Sequence, residues 1–156
     1  NVQFDISKRV LVLLPRKMFA DYSLKLLKML NELVCYRFDI GVHPKDSKEW
    51  HESEIANSDN LFFLKKNLNF KLMGKVILEN YGFAISFNST SYIDSYMIGL
   101  RCLYYECGLN DFSFRAHSID SFSSLESLQK TIAILEESHE FHKGEILLNL
   151  SLIYEN

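Results

Sequence analysis

The feature that most constrains this chain is an unbroken apolar run, Val10-Leu11-Val12-Leu13-Leu14, led by Arg9 and stopped by Pro15. A strand with one wet face alternates apolar and polar residues, whereas an unalternating run suits a strand covered on both faces. Such strands belong to parallel sheets, whose neighbours are joined by crossovers that are usually helical. The next residues have that form. Ala20, Leu24, Leu27, Leu30 and Val34 recur at helical spacing, with Lys25, Lys28 and Glu32 on the other side, which predicts an amphipathic helix. Residues 36–42 then read as a second strand, ending at His43-Pro44.

The alternation continues. Residues 45–58 are polar and read as a loop with a short helix around Trp50, and residues 60–64 as a short strand. Leu72, Met73, Val76, Ile77 and Asn80 outline a helix, with Gly82 at a C-terminal capping position. A strand over 83–87, a helix over 92–98 ended by Gly99, and a strand over 101–105 follow. Beyond an irregular stretch at 108–123, Leu125, Leu128, Ile132 and Leu135 mark a helix that Ser123 or Ser124 caps, with Glu126 or Ser127 nearby. Ile146, Leu147, Leu150 and Ile153 mark a last one. Strands alternating with helices, without repeat or linker, predict one α/β domain: a Rossmann-like parallel sheet covered by helices on both faces.

Composition narrows the function. The 156 residues are 47% hydrophobic and 24% charged, with a formal charge of −3 and no basic run, so a nucleic-acid footprint is missing. No apolar stretch reaches the 18 residues of a membrane span, and no signal peptide is visible. Cys35, Cys102 and Cys107 lack zinc-ligand spacing and read as reduced, buried thiols of a cytoplasmic protein. His139 and His142 share a helical spacing without a third ligand, so no metal site is expected.

In sheets of this kind ligands bind outside the carboxyl ends of the strands, and two polar segments lie there. His43-Pro44-Lys45 follows the second strand: a His held by a following Pro offers a ring nitrogen to a ligand oxygen, and Lys45 adds a cation for phosphate. The competing reading is a solvent-facing turn. Asn88-Ser89-Thr90-Ser91 joins a buried strand to a helix, and its hydroxyls and free backbone N–H groups suit an anion. Here the competing reading is an ordinary N-cap. Glu106, at the end of the next strand, can meet a sugar or ribose hydroxyl, and Asp94 can brace the Ser/Thr loop. No GxGxxG, P-loop or G-x-S-x-G pattern occurs, so the usual dinucleotide, triphosphate and serine-hydrolase signatures are missing.

The order of these pieces resembles a known family. Leu13-Leu14-Pro15, then Gly41-Val42-His43-Pro44-Lys45, then Ile85-Ser86-Phe87-Asn88-Ser89-Thr90-Ser91 running into Asp94 and 98–106, is similar to the C-terminal, donor-binding half of bacterial GT-B glycosyltransferases. Within these it most resembles the lipooligosaccharide sialyltransferase and polysialyltransferase group, with related capsule and teichoic-acid polymerases. The resemblance implies a CMP- or CDP-activated sugar as substrate and no further cofactor. His43 and Pro44 would form the His-Pro motif, with His43 the catalytic residue, and Ser89 and Thr90 the Ser-Thr motif, both at the donor nucleotide and its phosphate. Lys45, Asn88, Ser91 and Glu106 complete the expected donor site. The family's acidic general base lies in the N-terminal half, in an Asp/Glu-Asp-Gly type motif that this sequence lacks. The chain, which starts at Asn1, is therefore expected to be the C-terminal half of a longer enzyme, partnered by an acceptor domain of the same protein. That enzyme would be cytoplasmic, at the inner face of the membrane. The rival expectation is a non-catalytic α/β interaction module using Phe62, Phe63, Phe112 and Phe114. A flavodoxin-like receiver is disfavoured, because Pro15-Arg16-Lys17 stands where its acidic pocket belongs.

Overall fold

A computed structural model describes residues 5–47, 49–109 and 120–137. The apolar run forms β1 (Arg9–Leu13), and the chain then alternates through α1 (Ala20–Asn31), β2 (Arg37–Gly41), α2 (Glu49–Ile55), β3 (Leu61–Phe63), α3 (Phe70–Asn80), β4 (Phe83–Ser86), α4 (Ser91–Met97) and β5 (Cys102–Tyr105). A two-residue β6 (Ser121–Phe122) and a helix over 125–137, here α5, complete the described chain. Every pairing is parallel, in the order β3-β2-β1-β4-β5-β6. This is an α/β fold of the Rossmann-like kind, with its strand order reversing between β1 and β4.

Register explains the unalternating run. Val10, Phe38 and Phe83 form one cross-strand row, whereas Leu13, Ser86 and Tyr104 form a row on the opposite face. Tyr92 of α4 meets Tyr104 edge-on at 5.6 Å between centroids. On the other face the Tyr36 ring packs against Phe38 and Phe83, and its hydroxyl bonds Glu136 of α5. Helices thus cover both faces, and Val10, Leu11 and Val12 are fully buried.

Several helix ends follow the sequence. Ser124 and Ser127 cap α5 reciprocally: Ser127 N–H donates to Ser124 Oγ at 3.1 Å, and Ser124 N–H to Ser127 Oγ at 2.9 Å. Gly99, at φ +90°, closes α4 with Leu100 N–H returning to the Ser95 carbonyl. Three expectations are corrected. Gly82 is no left-handed cap: a Cβ there would stand 2.9 Å from the Ile6 carbonyl oxygen, so glycine permits the close approach of residues 6–7. In α3 only Ile77 is buried, while Leu72 is 83% exposed. Cys35 is exposed, because the chain has already left α1 there; all three cysteines are free thiols. Phe112, Phe114, His139, His142 and the last expected helix lie outside the described residues.

Candidate ligand site at the strand-order reversal

The sheet brings the two polar segments together. β2 and β4 flank β1, and the loops leaving their carboxyl ends face each other across Leu13 and Leu14. His43 and Pro44 line one side of a cavity of about 190 Å³, with Ser89, Thr90 and Ser91 on the other. The floor is apolar, from Leu13, Leu14 and Leu64, and the loop after β3 adds Asn67, Leu68 and Phe70. Crevices at such a reversal are where open α/β sheets bind ligands, since loops on either side of it part in opposite directions.

The His43 loop is built by local bonds. The Lys45 N–H donates to His43 Nδ1 at 3.2 Å, and the Asp46 N–H to the His43 carbonyl at 2.9 Å. An acceptor at Nδ1 puts the proton of the neutral ring on Nε2, leaving a donor for a ligand oxygen. Asp46 anchors the loop from behind, accepting from Lys17 N–H at 2.8 Å and Arg16 Nε at 3.2 Å. Burial pushes its carboxyl up, but the Lys17 and Arg16 bonds outweigh that and hold it below the usual aspartate range.

The Ser/Thr loop starts from a strained residue. Asn88 is buried with φ +46°, a left-handed conformation that asparagine tolerates better than most. The Ser89 hydroxyl lies 3.0 Å from that of Ser91 and accepts the Ser91 N–H at 3.2 Å. Tyr92 and Ile93 N–H return to the Ser89 and Thr90 carbonyls. The donors open to a ligand therefore differ from those expected at the helix terminus. Among the described residues, the Ser89 and Thr90 N–H groups and the Thr90 hydroxyl meet no acceptor.

Three expected residues stand outside the cavity wall. Lys45 is exposed, and its backbone N–H is tied to His43 Nδ1. Asn88 makes the turn beneath the loop, its N–H 3.4 Å from the Tyr104 hydroxyl. Glu106 follows β5, one strand further from the reversal, where its N–H bonds the Phe122 carbonyl. Conversely, Asp94 lines the cavity; burial raises its carboxyl above the usual aspartate range, against the pull of Lys71. Asn67 and Phe70 had one signal in the sequence: they too follow a strand, and all carboxyl ends of a parallel sheet point the same way.

The arrangement offers neutral and charge-capable donors to an oxyanion, with no nucleophile paired to a base among its described hydrogen bonds. Among the described residues, no three His, Cys, Asp or Glu side chains gather to hold a metal, and no helix is long and apolar enough to cross a membrane. Compared with known proteins, the chain matches no family model and no curated sequence.

Proposed function

We propose that this cavity binds the phosphate of a CMP- or CDP-activated sugar, and that the chain is the donor-binding part of a glycosyltransferase of the sialyltransferase-like kind that builds bacterial surface polysaccharide. One observation carries the reading: two segments far apart in sequence, His43-Pro44 and Ser89-Thr90, line a single cavity at the strand-order reversal. His43 Nε2–H and the open donors of Ser89 and Thr90 would take up charge on the departing nucleotide phosphate, where preorganised donors act most strongly. The base for the acceptor hydroxyl would come from an acceptor domain of the same protein, working in the cytoplasm at the inner membrane face.

Calorimetric titration with CMP and CDP tests the reading directly. The chain is expected to bind at least one of them, and His43→Ala to weaken binding about tenfold, the loss of one charge-assisted hydrogen bond. Equal heats from both proteins would discard it. A protein-interaction module remains the second reading, favoured by one surface: Leu72 and Met97, 83% and 66% exposed, border an apolar groove between α3 and α4.

A further inference from the structure

The cavity between His43 and Ser89 has a neighbour. A second one, of about 360 Å³, opens beyond the ridge of Gly41, Val42 and Pro44, and shares Leu64 and Asn67 with the first. At about 190 Å³ the first cavity is smaller than the ~300–1,000 Å³ of most small-molecule sites, so a ligand of ordinary size would extend beyond it, and the second cavity adjoins it.

The second cavity carries lysines in its wall, which the first lacks. Lys65 and Lys66 stand in its wall with Asp46 and Glu49. Asp46 is already neutralised by Arg16 at 3.2 Å and by the Lys17 N–H at 2.8 Å. Among the described residues, neither lysine ammonium has an ion-pair or hydrogen-bond partner, which leaves two cations against the single carboxylate of Glu49. Their loop is fixed rather than loose at its start, because the Leu64 N–H bonds the Ile40 carbonyl at 2.9 Å.

We propose that the second cavity is an anion subsite, in which Lys65 and Lys66 take a carboxylate or phosphate borne on the far part of the ligand whose nucleotide phosphate meets Ser89 and Thr90. The identity of that ligand rests on the proposed donor reading; the binding of an anion by the lysines does not. An ammonium is a compact charge with three donors, and two of them on one loop suit an anionic group without demanding the fixed fork that arginine imposes.

Backbone amide shifts measured by NMR separate the two ideas. The full chain would be titrated with inorganic phosphate and, separately, with acetate, at an ionic strength held constant with sodium chloride. Saturable shifts at Lys65 and Lys66 are expected, weakened at least about tenfold in Lys65→Gln/Lys66→Gln and retained in His43→Ala. A tighter response to phosphate assigns the far group as a phosphate, and a tighter response to acetate as a carboxylate. No saturable shift with either anion, or one unchanged in the double variant, overturns the subsite. If the lysines respond but CMP and CDP never bind, the donor reading falls alone; if CMP binds and the lysines stay silent, the subsite falls alone.

Discussion

The two ends of the sheet treat polar groups in opposite ways. Toward the amino ends of the strands, charges close on one another. Arg9 and Arg37 both reach Asp39, at 3.3 and 3.0 Å, and the Tyr81 hydroxyl donates to the same carboxylate at 2.7 Å. Lys8, Tyr36 and Glu136 form a second closed group. Arg101 and Asp120 form a third, 1% and 0% exposed, with Nε to Oδ1 at 2.7 Å and the Tyr96 hydroxyl 2.6 Å from Oδ2. Only single atoms are left over, among them Arg9 Nε and Arg101 Nη1. At the carboxyl ends Arg16 and Asp46 still pair, but other polar residues line cavities instead: His43, Ser89 and Thr90 one, and Lys65 and Lys66 another. Closed networks tie distant segments of the fold together, and on the proposed function the groups lining the cavities are the ones a ligand would meet.

The sharpest way to break this contrast is to open a closed network. Asp120→Ala leaves the Arg101 guanidinium buried and without its carboxylate, which costs about 3–5 kcal/mol when the remaining charge cannot reach water. Urea denaturation is expected to show that loss, while the folded protein keeps whatever affinity it has for CMP or CDP. A loss under about 1 kcal/mol would mean that the amino end does not carry the stability assigned to it.

A smaller effect is expected where the open end is strained. Asn88→Val places a β-branched side chain at φ +46°, at a cost of roughly 1–2 kcal/mol, whereas Asn88→Gly removes the steric objection. On the proposed function, the valine variant would also displace the Ser89 and Thr90 N–H groups and so weaken binding of CMP or CDP. Denaturation of the two variants side by side decides: equal stability would show that the turn relaxes freely and that its strain positions nothing.

Much of the open end was legible in the sequence, and almost none of the closed end. Strands buried on both faces announce themselves as apolar runs, and the residues that follow each run, His43 after Val42 and Asn88-Ser89 after Phe87, are placed by strand polarity alone. Lys45 shows the limit of that argument. It follows a strand as His43 does, yet it is exposed and lines neither cavity. The closed networks depend on partners far apart in the chain, such as Arg101 with Asp120 or Lys8 with Glu136, and no periodicity links them. β6 was missed for a related reason: two residues, Ser121 and Phe122, are too few to show a pattern, and only pairing with Tyr104 and Tyr105 defines them.

The weakest of the closed groups offers the finest test. Hydrogen bonds from Lys8 and Tyr36 hold the Glu136 carboxyl below the usual glutamate range, and burial opposes them only in part. A carboxyl whose value is lower when folded contributes stability that is fully present above its unfolded value and lost as pH falls through the folded one. Lys8, pushed above the usual lysine range first by its bond to the Tyr36 hydroxyl and then by that to Glu136, contributes below its unfolded value, so its effect is lost only in strong alkali. Stability should therefore decline on acidification beneath the ordinary glutamate range, and Glu136→Gln should flatten that decline. With side-chain exposures of 37% and 48%, the Lys8–Glu136 pair is screened, and the change at neutral pH should stay within about 1 kcal/mol. Urea midpoints from pH 3 to 7 would show it. An unaltered acid slope in Glu136→Gln would remove this group from the closed networks and leave the buried ones, Asp120 and Asp39, to hold the amino end alone.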